Sequence, residues 1–295
     1  MDTNRLRIAV QKSGRLAEKS FEILKAAGLK LRYSKNDLYC RVQNMDIDLL
    51  LIRDDDIPEL VNNDVCDLGI VGGNVVAEFQ ARADEPENIR QVETLGFADC
   101  RLDLAVPKDW NYRGPQDLEG KVIATSYPAL TKAFIGEHGL NTQVVEMSGA
   151  VELAPRLGIA DLICDLVSTG ATLEANNLKP VSTLYSSQAI MIGNLKPLNE
   201  AKQAVFARLL QRVRGVLASR ENKYVMMNAP KASVPAISAL LPGASAPTVI
   251  QLAGREDQVA IHAVCAEGVF WETMEKLRDV GASAILVLPI EKMMA

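Results

Sequence analysis

Asp161–Leu173 reads DLICDLVSTGATL, and its middle, Ile163–Ala171, repeats the pattern of VCDLGIVGG at Val65–Gly73. Each copy is an apolar strand that contains one aspartate and leads through a loop of small residues into a helical pattern. A repeated strand–loop–helix unit predicts two similar α/β lobes built on parallel sheets. Because ligands bind at the carboxyl ends of such strands, the two lobes are predicted to enclose a ligand-binding cleft.

The other strand and helix patterns divide the chain into three predicted parts. Lobe I takes residues 1–98 and 183–222, the latter including a connector helix, and lobe II takes residues 99–182. Residues 223–295 follow the order strand–helix–strand–strand–helix–strand, which is typical of a ferredoxin-like domain. The predicted fold class is therefore α/β, with a two-lobed, periplasmic-binding-protein-like core and a C-terminal βαββαβ domain that regulates or oligomerises.

Composition excludes several classes of protein. The chain has 295 residues, a hydrophobic fraction of 48% and a net charge of −5, so nucleic acid, which requires a cationic excess, is not an expected partner. There is no signal peptide and no apolar run long enough for a bilayer, so we expect a cytoplasmic protein without membrane contact. Five widely spaced cysteines and two histidines predict reduced thiols, mostly buried, and no zinc site.

The loop after the second repeat is a candidate cradle for a ribose 5-phosphate. A carboxylate at Asp165, near the strand end, could accept hydrogen bonds from ribose hydroxyls, and Asp161 is a second candidate. The loop itself supplies hydroxyls, small residues and backbone N–H groups for a phosphate. Its members are Ser168, Thr169, Gly170, Ala171 and Thr172. An ordinary strand-to-helix turn capped by Thr172 explains the same pattern equally well.

Several motifs in order resemble the ATP phosphoribosyltransferase family over nearly the whole chain. They are RLRIAVQKSGRL, RDDDIPELV, VCDLGIVGGNV, IATSYP, DLICDLVSTGATLEAN, KYVMMNAP and GASAILVLPIEKMM. The resemblance implies a pentosyltransferase that moves the 5-phosphoribosyl group of phosphoribosyl pyrophosphate to N1 of ATP, the first step of histidine biosynthesis. It is similar to the long form, whose C-terminal domain binds the inhibitor histidine. It also implies Mg²⁺ held mainly by substrate phosphates, and a homo-oligomer of dimers that assemble into hexamers.

The resemblance implies an ATP site in lobe I. Its candidates are Lys12, Gly14, Arg15, Arg53, Asp67 and Gly69. Cations at a helix N-terminus, as at Lys12 and Arg15, indicate a nearby anion because the helix dipole disfavours them there; a solvated loop is the alternative. For Gly69 the alternative is tight packing.

Asp56 after Arg53 caps a helix or, with its acidic neighbours, contacts Mg²⁺. Histidine contacts are expected at Asn228, Thr248 and Ser283.

The expected chemistry requires positioning and charge stabilisation more than a proton-transfer group. The attacking ring nitrogen of ATP uses an existing lone pair and loses no proton, so no general base is needed and no catalytic residue is assigned. A non-catalytic, bilobed small-ligand-binding or regulatory protein is the rival hypothesis, because a fold does not determine a function.

Overall fold

The computed structural model describes residues 4–34, 36–83, 88–241, 246–266 and 271–293. It divides into two compact units. The first comprises Met1–Lys25 and Leu29–Phe206, and the second comprises Ala26–Gly28 and Ala207–Ala295.

The first unit contains two sheets. In chain order its strands and helices begin with β1 (Leu6–Gln11), α1 (Arg15–Ala26), β2 (Tyr39–Arg41), β3 (Ile47–Ile52), α2 (Ile57–Asn62), β4 (Leu68–Gly72), α3 (Gly73–Arg82) and β5 (Ile89–Thr94). They continue with β6 (Cys100–Pro107), β7 (Val122–Thr125), α4 (Pro128–Glu137), β8 (Gln143–Glu146), β9 (Leu162–Val167), α5 (Ala171–Ala175), β10 (Leu178–Ser187) and β11 (Ala189–Asn194).

The two sheets have matching topologies. The six-stranded sheet, in lobe I, has the order β2-β3-β1-β4-β11-β5, and the five-stranded sheet, in lobe II, has the order β10-β6-β9-β7-β8. In each sheet a first strand (β1 or β7) lies between two parallel neighbours. Beside one of these neighbours lies a strand antiparallel to it (β11 or β6), and the strand after that (β5 or β10) is in turn antiparallel to β11 or β6. The predicted two-lobed α/β class is confirmed, and the chain passes between the lobes after β5 and after β10.

Glycines define the turns that aim these elements. Gly14, with φ +102°, precedes α1, and Gly28, with φ +88°, follows it. This conformation is accessible to glycine without a steric penalty. The apolar face of α1, including Phe21 and Leu24, is buried, as an amphipathic pattern predicts. The strand-to-helix loop at Lys12–Gly14 therefore emerges at the carboxyl end of β1.

The second unit contains a four-stranded antiparallel sheet. Following α6 (Glu200–Arg220), which begins in the first unit, come β12 (Asn222–Pro230), α7 (Val234–Leu240), β13 (Thr248–Leu252), β14 (Arg255–Ala266), α8 (Trp271–Asp279) and β15 (Ser283–Pro289). The sheet order β13-β14-β12-β15 confirms the predicted βαββαβ arrangement. Its helix-covered face buries a cluster that includes Met227, Ile237, Ile261 and Leu277. The sequence pattern predicts that the first helix of this domain stops at Pro242–Gly243 and that the second begins at Phe270. Both positions lie outside the described residues.

All five cysteines are free and four of them are buried. Burial raises the pKa of Cys66 to about 11 and that of Cys164 to about 12, so neither is a ready nucleophile. Within the described ranges, no helix has both the length and the apolar character needed to cross a membrane.

Candidate active site

The predicted cradle is an exposed loop at the carboxyl end of β9. Gly170, with φ +81°, occupies the N-cap position of α5, and no side chain caps that helix. Thr172 lies inside α5, so the alternative of a turn capped by Thr172 is wrong. Ser168, Thr169, Ala171 and Thr172 are exposed. Because α5 has only five residues, the individual N–H groups of its first turn, rather than a long helix dipole, would attract an anion.

Asp165 lies within β9, three positions before Ser168 at the start of the loop, and is partly buried. Its Oδ1 accepts the N–H of Leu166 at 2.8 Å. Burial raises the pKa of the carboxyl, the hydrogen bond from Leu166 opposes this, and Glu152 adds to the rise. No hydrogen bond to Oδ2 occurs among the residues that the structure covers, so this oxygen is available to a hydroxyl donor.

A second carboxylate supports the strand beneath the cradle. Asp103 of β6 lies directly opposite Asp165 in the antiparallel pair and is 1% exposed. It accepts the Thr183 hydroxyl at 2.6 Å and pairs with Arg101 at 3.1 Å. Because a buried carboxylate is costly without partners, these contacts explain how the sheet tolerates Asp103.

Asp161 lies at the opposite end of β9. It precedes the strand, its carboxylate accepts the N–H of Val122 at 2.8 Å, and its own N–H donates to the carbonyl of Val122 at 2.9 Å. The extended strand separates it from Val167 by about 20 Å. The structure therefore does not bring Asp161 to the loop that follows Asp165.

Asp67 has the same local geometry at the start of β4. Its carboxylate accepts the N–H of Arg7 at 2.8 Å, and its N–H donates to the carbonyl of Arg7 at 2.9 Å. The second carboxylate oxygen pairs with Lys202 at 2.7 Å, and both side chains are largely buried. Asp67 thus lies at the amino end of its sheet, away from Lys12 and Arg53 at the carboxyl end.

Gly69 is enclosed by the core of lobe I. A Cβ there would lie 2.5 Å from Ile57 Cγ2 and 3.2 Å from side-chain atoms of Ile192 and Val61. The tight-packing alternative accounts for this glycine, because any larger residue would displace α2 from the sheet.

Lys12 and Arg53 line one cavity at the carboxyl ends of β1 and β3. The N–H of Lys12 donates to the carbonyl of Ile52 at 2.8 Å, which holds the two strand ends together. The cavity has a volume of about 530 Å³. Its lining also contains Gln11, Ser13, Leu38, Leu51, Ile52, Asp54 and Asp56. Gly14 and Arg15, both exposed, follow directly at the start of α1. Asp56 occupies the N-cap position of α2 but makes no side-chain capping bond.

Another cavity, of about 420 Å³, lies between α3 of lobe I and the strand ends of lobe II. Glu78 of α3 accepts the N–H groups of Ala129 and Leu130 at 2.8 and 2.9 Å. Arg82 donates to Glu78 at 2.9 Å and to Glu146 at 3.0 Å. A buried glutamate of one lobe thus caps the first turn of α4 in the other lobe, which favours a defined closure of the cleft.

Sequence patterns do not identify Glu78 or Arg82 as cleft residues. Both lie on α3 among ordinary helical residues, and their partners on lobe II are 51 to 64 positions away. Tyr127 and Asp55 also line the cavity. The only local signal is the IATSYP motif, which contains Tyr127.

Two of the three expected histidine contacts lie together on the sheet of the second unit. Asn228 of β12 pairs with Ser283 of β15, whose hydroxyl donates to the Asn228 carbonyl at 3.3 Å. Thr248 pairs across the strands with His262 of β14, and His262 pairs on its other side with Met226 of β12. Since strand side chains alternate, Thr248 and Asn228 share the face opposite the helices, with β14 between them.

The described residues contain no group of three or more His, Cys, Asp or Glu side chains placed to hold a metal ion. Mg²⁺ commonly takes one or two carboxylates and completes its shell with water and substrate phosphates. Asp165 with its neighbour Glu152 could supply one or two such carboxylate ligands, and so could Asp54 in the cavity lined by Lys12 and Arg53. Neither set forms a complete protein cage for the ion.

Comparison with known proteins identifies the family. The family model for ATP phosphoribosyltransferase matches residues 53–215, and the model described as HisG, C-terminal domain, matches residues 219–292. An ATP phosphoribosyltransferase of Maricaulis maris (strain MCS10) is 54% identical over 293 residues, which cover 99% of this chain and 100% of that protein. The chain belongs to the ATP phosphoribosyltransferase family. It is therefore a pentosyltransferase of histidine biosynthesis, and the rival hypothesis of a non-catalytic binding protein is not favoured.

Solved structures extend the likeness to the fold. The ATP phosphoribosyl transferase (HisG:HisZ) complex from Thermotoga maritima has a chain with a TM-score of 0.60 and 26% identity, covering 71% of this chain and 98% of that one. The alkanesulfonate-binding protein SsuA from Xanthomonas axonopodis pv. citri has a TM-score of 0.45 and 17% identity, covering 74% of this chain and 75% of that one.

Proposed function

We propose that this member of the ATP phosphoribosyltransferase family binds phosphoribosyl pyrophosphate at Asp165 and the loop Ser168–Thr172 while the N1 atom of ATP attacks C1 of the ribose. The observation that carries the proposal is the exposed loop at the carboxyl end of β9, which follows the partly buried carboxylate of Asp165 by two strand residues. The loop N–H groups and hydroxyls suit the 5-phosphate, and the free oxygen of Asp165 suits the ribose hydroxyls.

ATP is proposed to bind at the cavity lined by Lys12 and Arg53, with Gly14 and Arg15 beside it. Three exposed cations around one strand-end cavity favour a polyphosphate. We assign Asp67, Gly69 and Asp161 to the fold and not to a ligand, because their polar groups or their space are taken up by the protein.

The two sites account for the reaction by position and charge. The ribose ring gains positive charge as the bond to pyrophosphate breaks, and the carboxylate of Asp165 lies near that ring. Mg²⁺, when bound to the substrate phosphates, neutralises charge on the pyrophosphate group. The protein holds the attacking nitrogen and C1 within reach, and the closed cleft excludes water that would compete.

Regulation and assembly are part of the proposal. Histidine is proposed to inhibit by binding to the second unit near Asn228, Thr248 and Ser283, where two polar residues meet on a sheet face. We also propose a cytoplasmic homo-oligomer of dimers and hexamers, in line with the family resemblance.

The test is release of pyrophosphate and formation of phosphoribosyl-ATP when the protein is mixed with ATP, phosphoribosyl pyrophosphate and Mg²⁺. Both products should require both substrates, and free histidine should suppress them. Thr169→Ala should reduce turnover strongly, whereas Thr142→Ala, at the amino end of β8 in the same lobe, should not. Binding of both substrates without any product would refute the catalytic proposal, and product formation insensitive to histidine would refute the regulatory one.

A further inference from the structure

Asn74 joins the hinge between the lobes to a side chain in the cleft. It is the second residue of α3 and is 5% exposed. Its N–H donates to Ser187 Oγ at 2.9 Å, and the Ser187 hydroxyl donates to Asn74 Oδ1 at 2.8 Å. Ser187 ends β10, directly before the chain returns to lobe I, and Gly73 donates to the carbonyl of Gln188 at 2.9 Å. One end of the Asn74 amide is thus fixed by the hinge.

The other end of the amide reaches the opposite lobe. Asn74 Nδ2 donates to the hydroxyl oxygen of Tyr127 at 2.7 Å. The structure orients the amide with Oδ1 towards Ser187, whose proton it accepts, and with the NH₂ group towards Tyr127. Because Tyr127 accepts this bond, its own proton is free to be donated into the cleft.

The backbone of Gly72, two residues before Asn74, packs closely against this amide. A Cβ on Gly72 would collide with Asn74 Oδ1. Gly72 has φ −69°, a conformation that any residue adopts, so its requirement for glycine is steric and is directed at Asn74. The polar groups that surround Tyr127 act on its hydroxyl as well. Burial raises the pKa of Tyr127, and Asp55, Asp54 and Asp165 add to the rise while the bond from Asn74 opposes it, so the hydroxyl stays protonated.

We propose that Asn74 is a positioning residue that holds Tyr127 as a hydrogen-bond donor to an uncharged acceptor of the bound nucleotide, a purine nitrogen or a ribose oxygen. This inference rests on the proposed function. An uncharged acceptor fits better than a phosphate because three carboxylates already act on this hydroxyl. Tyr127 joins lobe II to Asn74 of lobe I, so the donor is aimed only when the lobes are in register.

A double-mutant cycle on the full chain tests the inference. Tyr127→Phe removes the donor, and Asn74→Ala removes the group that orients it. Each should lower kcat/KM for ATP by roughly tenfold, the value of one hydrogen bond, and the double variant should be no worse than either single variant. Thermal unfolding of each variant monitors the fold.

A second variant acts on Asn74 without altering it. Gly72→Ala should displace the amide and reproduce the loss seen with Asn74→Ala, again without further loss when Tyr127→Phe is added. Gly136→Ala on α4, where a Cβ meets open space, is the matched control and should leave kcat/KM unchanged. If Asn74→Ala does not fold, Gly72→Ala takes its place in the double-mutant cycle with Tyr127→Phe.

The outcomes separate this inference from the proposed function. Absence of phosphoribosyl-ATP formation by the unmodified chain would overturn the proposed function and with it this inference. An active parent in which the single losses multiply in the double variant, or in which Asn74→Ala and Gly72→Ala have parental kinetics, would overturn the role of Asn74 alone.

Discussion

Asp67 and Asp165 occupy the same place in the sequence repeat, yet they lie at opposite ends of their strands. Asp67 precedes β4, whereas Asp165 is the fourth residue of β9. The structural counterpart of Asp67 is Asp161, since each exchanges two hydrogen bonds with the residue opposite on the neighbouring parallel strand. The repeat therefore predicts two lobes, while strand register decides which carboxylate reaches the cleft.

The largest effect is expected on stability at Asp67. Asp67→Ala would leave Lys202 without its partner in a largely buried position, and breaking such a pair costs about 3 kcal/mol. Chemical denaturation should show this loss in the free energy of unfolding, and kcat/KM of the folded fraction should stay near that of the parent. Adding Lys202→Met should recover much of the loss. A folded, stable Asp67→Ala protein without activity would instead place Asp67 in the site.

The next effect is expected on activity at Asp165. Asp165→Ala removes the acceptor for ribose hydroxyls, and two hydrogen bonds to a charged group lost together predict roughly a 100-fold fall in kcat/KM for phosphoribosyl pyrophosphate. The free energy of unfolding should not fall much, because burial and the charge of Glu152 already disfavour the ionised carboxylate in the folded protein. Steady-state kinetics and denaturation of the same preparation measure both. Parental kinetics in this variant would remove Asp165 from the cradle.

Asp161 provides the matched control for Asp165, since it lies four residues earlier, immediately before the same strand. Asp161→Ala removes one acceptor for the N–H of Val122, so the free energy of unfolding should fall by about 1 kcal/mol. Substrate kinetics should remain those of the parent. A loss of affinity for phosphoribosyl pyrophosphate comparable to that of Asp165→Ala would contradict the assignment of Asp161 to the fold.

The smallest effect is expected in the pH dependence. Because burial and Glu152 raise the pKa of Asp165, the carboxylate is protonated at a higher pH than an ordinary aspartate, and the neutral acid is a poorer acceptor. KM for phosphoribosyl pyrophosphate should therefore rise as the pH falls through this raised pKa, by a few-fold on the order of one hydrogen bond. Glu152→Gln should move the rise to lower pH.

Asp165→Asn is the reference for that profile. The variant has no charge to lose at position 165, so any remaining pH dependence belongs to the substrate phosphates or to other groups of the protein. A profile shared by the parent and Asp165→Asn would exclude Asp165 as its source.

Local patterns were sufficient for much of the fold. The apolar run Leu6–Gln11 indicates a strand by its sequence alone, and β1 has the same bounds. The predicted C-terminal order is also confirmed, because apolar periodicity and glycine turns are local signals that span only a few residues. Thr172 was a candidate cap from sequence, but the cap position falls at Gly170, since helix starts depend on backbone conformation that composition constrains only within a turn or two. The lobe and domain boundaries at 98, 182 and 222 stay predictions.

Local sequence patterns specify the family motifs, the alternating strands and helices, and the loop Ser168–Thr172. Contacts between distant residues place Asp161 and Asp67 immediately before their strands and place Asp165 near the cleft. Such contacts also bring Glu78 and Asn74 of one lobe to Ala129 and Tyr127 of the other. The reason is physical: register and lobe closure are fixed by hydrogen bonds between residues tens of positions apart, and no local pattern encodes which distant group will be the partner.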